Sequence, residues 1–177
     1  MSWHKITTSI LAGLFFFMVL GAIGSHLFWH RAPLDGFGSA VFLLVAGALV
    51  LITSAKTMRA SLLLTGLLGF AAEVIGVRFG WLFGHYSYTE VLAPNLFDVP
   101  LVMVCAWLIL IAYVQEMMRE MPLPVWAAII CGAAWMTIID LLLDPVAAHP
   151  FCFWTWHEAG TYYGIPLRNF NGWFVVS

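Results

Sequence analysis

The sequence contains very little charge. Only 9% of its 177 residues are charged, whereas 63% are hydrophobic. A water-soluble domain of this length cannot bury so much apolar surface, which excludes an ordinary soluble protein and indicates a chain embedded in a lipid bilayer. Lys and Arg together number only seven, and the formal net charge is -2. With so few cations there is no basic surface for phosphate groups, which argues against nucleic acid as a partner.

Metal-binding and disulfide patterns are also missing. The three cysteines, Cys105, Cys131 and Cys152, form neither a disulfide framework nor a CxxC motif. His157 and Glu158 begin like the zinc motif HExxH, but Thr161 stands at its fifth position. Isolated histidines are more typical of loops and interfaces than of metal sites. We therefore predict no metal site.

Long apolar runs predict an all-α fold, a polytopic transmembrane helical bundle of about five spans. A span needs about 20 apolar residues at about 1.5 Å each. The predicted spans cover residues 6–29, 37–53, 61–77, 100–113 and 125–143, and residues 173–177 resemble the start of a sixth. Pro100 is expected at the first helical position of the fourth span, and Pro145 is expected to end the fifth.

The connections between the spans predict how the chain is organised. Residues 31–35 are expected to form the first turn, and Lys56 and Arg59 to lie in the second loop. Alternating spans divide Lys and Arg four to three between the two sides, which weakly favours a cytoplasmic N-terminus in a multi-pass protein of the cell membrane. We expect residues 1–177 to form one integral membrane domain, and the abrupt sixth span predicts a chain truncated at its C-terminal end.

Three carboxyl groups interrupt the apolar runs. Glu73 lies near the end of the third predicted span, and Asp140 and Asp144 near the end of the fifth. Odd-numbered spans end on the same side of a bilayer, and Glu73 and Asp140 both lie about 5 Å before their helix ends, so they can meet. A charge at the centre of a span costs about 2.5–3.5 kcal/mol. The acids therefore form either a functional site or a structural lock with Arg78, Arg168 or backbone donors.

Two other functions fit these acids. Asp140 and Asp144, four residues apart, face the same way and resemble half of the magnesium–diphosphate site of a membrane prenyltransferase, although no second acid-rich motif follows. A membrane subunit that binds or transports a small molecule is a further alternative.

Each carboxylate-bearing span continues into a loop dense in aromatic residues and glycine. Such residues are typical of an interfacial aromatic belt. Their density and the interspersed glycines also favour loops that fold back on one face and line a cavity.

These loops carry motifs that resemble the membrane carotenoid biosynthesis family, which includes hydratases of gamma-carotene and of bisanhydrobacterioruberin. The resemblance covers roughly residues 70–173, and its most specific part is the last motif. The motifs are E-x-x-G-V at 73–77, F-G-x-Y-x-Y at 83–88, Pro94, V-P-L at 99–101, Trp107, D-x-x-x-D-P at 140–145, W-x-W at 154–156 and G-x-Y-Y-G-I-P-x-x-N-F-x-G-W at 160–173.

The resemblance implies an enzyme that hydrates the end group of a lipophilic carotenoid in the bilayer, with other enzymes of the pathway as further partners. A carboxylic acid would protonate the terminal C=C bond, and water would capture the tertiary cation, without a cofactor. The acid must hold its proton near neutral pH, which Glu73 and Asp140 can achieve by sharing one. Asp144 or Asn169 would position the water. Aromatic rings would stabilise the cation by about 0.5–2 kcal/mol each, and the candidates are Tyr86, Tyr88, Trp154, Trp156 and Tyr162.

Overall fold

The structure is a computed structural model that describes residues 3–29 and 37–177. The all-α prediction is confirmed, since 72% of the structure is helical. The helices are α1 (Trp3–Trp29), α2 (Phe37–Thr53), α3 (Lys56–Phe79), α4 (Met103–Arg119), α5 (Val125–Ala148) and α6 (Leu167–Val176). The short strands are β1 (Tyr86–Tyr88), β2 (Asn95–Leu96), β3 (Val99–Pro100) and β4 (Trp154–Trp156).

Within the described residues, three helices are long and apolar enough to cross a membrane. They are α1, α3 and α5, and α2 is a shorter apolar helix. Helix α4 has 17 residues, which at about 1.5 Å each fall short of a hydrocarbon core of about 30 Å. The helices support a membrane protein, whereas the count of about five spans stays a prediction.

Two predicted helix starts are wrong, and the predicted turn at 31–35 lies outside the described residues. Pro100 does not begin α4 but pairs with Asn95 in the ladder of β2 and β3, a position that proline tolerates because the strand is short and at an edge. Lys56 and Arg59 lie in α3 rather than in a loop. The Arg59 side chain donates to the carbonyl oxygens of Ile52 and Ser54 at 2.7 and 3.2 Å, which satisfies carbonyl groups at the end of α2.

Helix α5 also differs from the prediction, because it continues through Pro145 to Ala148. Proline has no N–H group, so the carbonyl of Leu141, four residues earlier, loses its helical partner. The Tyr162 hydroxyl donates to that carbonyl oxygen at 3.0 Å. A side chain from a later loop thus supplies the missing hydrogen bond and allows the helix to continue.

Helix α4 packs against α2, α3 and α5 and forms the centre of the bundle. Small residues of α3 allow the close contact with α4. A Cβ atom at Gly66 would lie 2.7 Å from the Val104 carbonyl oxygen, and one at Gly69 would overlap the Trp107 ring. The large Trp107 side chain therefore occupies the space that glycine leaves.

The two aromatic loops meet on one face of the bundle. Strands β1 and β4 pair antiparallel, with Tyr86 opposite Trp156 and Tyr88 opposite Trp154. Backbone hydrogen bonds from His157 to His85, 2.9 Å, and from Thr89 to Phe153, 3.0 Å, extend the pairing at both ends. This pairing holds the loop after α3 against the loop after α5.

We expect Gly69→Ala to destabilise the protein by about 1–3 kcal/mol, because the new methyl group would force the Trp107 ring out of its place. The control is Gly13→Ala on α1, where no heavy atom lies within 4 Å of the added carbon. Alanine favours a helix over glycine by up to about 1 kcal/mol, so the control should be neutral or stabilising. Thermal unfolding in detergent, followed by the helical circular dichroism signal, measures both. Equal shifts in the two variants would contradict this account.

We expect Tyr162→Phe to cost about 1–3 kcal/mol, since it leaves the Leu141 carbonyl without a donor in a low-dielectric interior. The change Pro145→Ala restores a backbone N–H for the same carbonyl. The cost of Tyr162→Phe should therefore be smaller when alanine occupies position 145, and a double-mutant cycle of unfolding free energies measures this coupling. An equal cost in both backgrounds would show that the hydroxyl does not replace the missing helical bond.

Candidate active site

Three carboxyl groups from two helices meet beneath the paired loops. Glu73 of α3 and Asp140 and Asp144 of α5 are buried, with 5%, 2% and 1% of their surfaces exposed. They line a cavity of about 30 Å³, which is room for one or two water molecules. The other lining residues are Phe83, Tyr86, Tyr88, Met103, Trp154, Trp156, Asn169 and Trp173.

Glu73 accepts hydrogen bonds from three neutral donors. The hydroxyl groups of Tyr86 and Tyr88 both donate to its Oε2, the latter at 3.0 Å. The indole Nε1 of Trp107 donates to Oε1 at 3.1 Å. Both carboxyl oxygens are thus engaged, and the donors come from β1 and α4.

Asp144 is held in a similar way by the other loop. Its Oδ1 accepts from the indole Nε1 atoms of Trp154, at 2.8 Å, and Trp156, at 3.2 Å. Its Oδ2 accepts from Nδ2 of Asn169 at 2.7 Å. Three N–H groups therefore surround this carboxyl group.

Asp140 differs from the other two acids because it has a single hydrogen-bond donor. Asn169 Nδ2 donates to Asp140 Oδ2 at 2.7 Å, and the same amide nitrogen bonds Asp144. In the part of the chain that the structure describes, no donor reaches the second oxygen, Oδ1, of Asp140. Asn169, in the first turn of α6, therefore links the two aspartates and leaves one carboxyl oxygen of Asp140 without a protein partner.

No Lys or Arg of the described residues forms an ion pair with these acids. In residues 3–29 and 37–177, the ion pairs join His85 to Glu158 and Arg119 to Glu116 and Glu120, all away from the cavity. Arg78, a candidate partner in the structural-lock interpretation, lies over the Phe97 ring at 5.0 Å. Neutral O–H and N–H groups thus donate to the acids in place of the arginine that the structural-lock interpretation expected.

The two tyrosines beside Glu73 are held in their neutral form. Burial raises the pKa of Tyr86 and Tyr88 well above the ordinary tyrosine value, and the nearby Glu73 carboxyl raises the pKa of both further. The rings also contact the tryptophans of β4, with centroids 5.0 Å apart for Tyr86 and Trp156 and 5.8 Å for Tyr88 and Trp154. The phenols therefore act as hydrogen-bond donors inside an aromatic wall.

The donor set is not that of a metal site. Among the described residues, no three His, Cys, Asp or Glu side chains are grouped to hold a metal ion. Both oxygens of Asp144 accept hydrogen bonds from N–H groups. A magnesium ion binds through oxygen ligands, so it would have to displace these N–H groups before it could bind Asp144. The half-site expected for a prenyltransferase therefore has no free bidentate carboxylate at Asp144. That no cofactor is required stays a prediction.

All but one of the predicted site residues line the cavity. The exception is Tyr162, whose hydroxyl bonds the Leu141 carbonyl instead. Four further residues belong to the site but were not among its predicted residues. Phe83, Met103 and Trp173 line the cavity, and Trp107 donates to Glu73. Gly69 was the available signal for Trp107, because a glycine four residues before Glu73 lies on the same helix face and leaves space for a large neighbour.

Comparisons with known proteins identify the family of this chain. The model of the family described as "Carotenoid biosynthesis protein" matches residues 37–177. Bisanhydrobacterioruberin hydratase from Haloarcula japonica is 32% identical over 139 residues, which are 75% of this chain and 45% of that protein. The chain thus spans less than half the length of this relative. No solved structure is significantly similar to this chain.

The chain therefore belongs to the carotenoid biosynthesis protein family. The resemblance inferred from the motifs is confirmed. The family model matches the residues of α2 to α6, whereas α1 lies outside the matched residues.

The raised pKa values of Tyr86 and Tyr88 predict a loss of stability at alkaline pH. In the unfolded chain tyrosine ionises near about pH 10, whereas the folded protein keeps both phenols protonated. Their contribution is therefore complete below about pH 10 and is lost as the pH rises further. Unfolding free energies in detergent at about pH 8 and about pH 11 should show that Tyr88→Phe weakens this pH dependence. The control Tyr163→Phe changes an exposed ring and should leave the pH dependence of the unfolding free energy unchanged. If this free energy changed equally with pH in the wild type and in Tyr88→Phe, Tyr88 would not be a source of the alkaline loss of stability.

Proposed function

We propose that this chain is a carotenoid hydratase that adds water to the terminal C=C bond of an acyclic carotenoid. It would act as a multi-pass protein of the cell membrane with about five spans, on a lipophilic substrate dissolved in the same bilayer. One observation carries the proposal: three buried carboxyl groups share a water-sized cavity, and within the described residues none of them forms an ion pair. Membership of the carotenoid biosynthesis family and similarity to a hydratase support it.

The three acids are not equivalent, and this difference suggests their roles. Three negative charges so close together would repel each other strongly in a low-dielectric site, so sharing a proton lowers the energy of the group. Glu73 and Asp144 each accept three hydrogen bonds, which favour the ionised form. Within the described residues, Asp140 has one donor, and its second oxygen has none. We therefore assign Asp140 as the proton donor.

The reaction then balances with water alone. The Asp140 carboxylic acid transfers its proton to the terminal C=C bond, and the adjacent tertiary carbon becomes a cation. A water molecule in the cavity donates its oxygen lone pair to that carbon and releases a proton to a carboxylate. The proton returns to Asp140, so that H₂O has been added and the enzyme is unchanged. Asp144 and Asn169 are placed to orient the water through the bridge that they share with Asp140.

The walls of the cavity suit a short-lived cation. The aromatic rings of Tyr86, Tyr88, Trp154 and Trp156 line it, and each face can stabilise a positive charge by about 0.5–2 kcal/mol without reacting with it. The Glu73 carboxylate, fixed by its three donors, would add a negative charge in the same cavity. Such a preorganised environment needs no rearrangement when the charge forms.

We expect Asp140→Asn to abolish hydration while the protein remains folded, because an amide cannot supply the proton. Glu73→Gln should lower activity by at least about 10²-fold, the usual effect of removing a group that stabilises transition-state charge. The assay is expression in cells that accumulate lycopene or an acyclic fifty-carbon carotenoid, with mass spectrometry to detect the gain of one water.

The control is Glu90→Gln, which changes an exposed acid in the turn after β1 and should leave hydration intact. If both Asp140→Asn and Glu73→Gln retain hydration, the acid mechanism is wrong. If the wild-type chain hydrates neither carotenoid, the hydratase activity proposed for this chain is wrong.

A further inference from the structure

The acid cavity is too small for the substrate that the proposed function requires. Its volume of about 30 Å³ accommodates water, whereas a branched isoprenoid end group has at least five carbon atoms. A side chain of the wall must therefore move, and the long polyene behind the end group needs a binding surface of its own. The molecule offers a candidate surface beside the cavity.

An apolar cleft of about 340 Å³ lies between α1, α2 and the loop before β4. Its walls include Ile23 of α1, Phe42 and Leu43 of α2, and the loop residues Phe151 and Phe153. This volume and this apolar, aromatic lining are typical of a small-molecule site. The α1 wall of the cleft lies outside the residues matched by the family model, whereas the walls from α2 and the loop lie within them.

Adjacent residues of the chain line the cleft and the acid cavity. Phe153 lines the cleft, while Trp154, the next residue, lines the acid cavity. Phe153 packs against the core cluster that contains Met103, and Met103 also lines the acid cavity. Methionine is flexible and changes its rotamer easily, so Met103 is the side chain best suited to move aside for an end group.

The position and shape of the cleft suit a conjugated chain. The cleft brings α1 and the first turns of α2 next to the loop that follows α5, the helix that carries Asp140 and Asp144. The rings of Phe151 and Phe153 stack with centroids 5.1 Å apart and planes 20° apart. A flat aromatic wall of this kind offers close contact to a flat polyene.

We propose that this cleft binds the polyene of an acyclic carotenoid next to its end group, and that the end group reaches the acids past Met103. The inference rests on the proposed function for its substrate class. It adds a binding site, formed in part by α1, that the acids alone do not require.

The test measures the carotenoid that co-purifies with the full chain from cells accumulating lycopene, independently of hydration. Ile23→Trp fills the cleft at a position that is 50% exposed, and Ile10→Trp is the matched control on the same helix, 64% exposed and outside the cleft. Both substitutions should leave the fold intact because both side chains are at the surface. We expect Ile23→Trp to reduce bound lycopene per protein by about tenfold, a change of about 1.4 kcal/mol in binding. Ile10→Trp should leave it unchanged.

A second pair tests the competing apolar groove between α4 and α5. Ile129 lines that groove and Ile130 does not, although both are exposed. If Ile129→Trp reduces bound lycopene while Ile23→Trp does not, the polyene lies in the other groove and our proposal is wrong. Absence of lycopene from the wild-type chain, equal loss with Ile10→Trp, or a phospholipid in place of the carotenoid would also overturn it.

These measurements distinguish a wrong proposal for the cleft from a wrong proposal of hydratase activity. Asp140→Asn should keep bound lycopene but lose hydration. Lycopene binding that depends on Ile23 in a chain without hydration supports the cleft and refutes the hydratase activity. Hydration that is insensitive to Ile23→Trp, with unchanged lycopene binding, refutes the cleft and leaves the hydratase in place.

Discussion

The structure depends on the burial of three carboxyl groups that form no ion pair within the described residues. A buried carboxyl group needs hydrogen-bond donors, because a polar group without any partner in a low-dielectric interior costs several kcal/mol. The donors are tyrosine hydroxyls from β1, indole N–H groups from α4 and β4, and an amide from α6. The pairing of β1 with β4 and the docking of α6 therefore follow from the need to surround the acids with donors.

The packing of the helices serves the same requirement. Glycines on α3 bring α4 so close that Trp107 reaches Glu73. Further along, the continuation of α5 through Pro145 leaves a free carbonyl at Leu141, and the loop after β4 returns to supply Tyr162. A backbone group without a partner would be costly in this environment. A side chain from another part of the chain thus satisfies the Leu141 carbonyl that proline leaves free.

The three acids differ in their hydrogen-bond donors, and this difference indicates which of them carries the shared proton. Within the described residues, Glu73 and Asp144 each accept from three donors, while Asp140 has one oxygen without a donor. A proton shared in such a group belongs where stabilisation of the charged form is weakest. The aromatic wall, rich in electrons but without a strong nucleophile, complements the cation that a protonated alkene becomes. The same loops therefore stabilise the acids and suit the proposed reaction.

The sequence alone determined the membrane character, the helical class, the meeting of the acids and the family, because composition, apolar run length and local motifs encode these features. Only the tertiary structure decided that Pro100 lies in a strand, that α5 continues through Pro145 and that Tyr162 is not part of the cavity wall. It also decided that Trp107 donates to Glu73 and that, within the described residues, Asp140 is the one of the three acids that has an oxygen without a donor. These facts depend on donors and acceptors far apart in the chain, 34 residues for Trp107 and Glu73, and no local pattern records which of them meet.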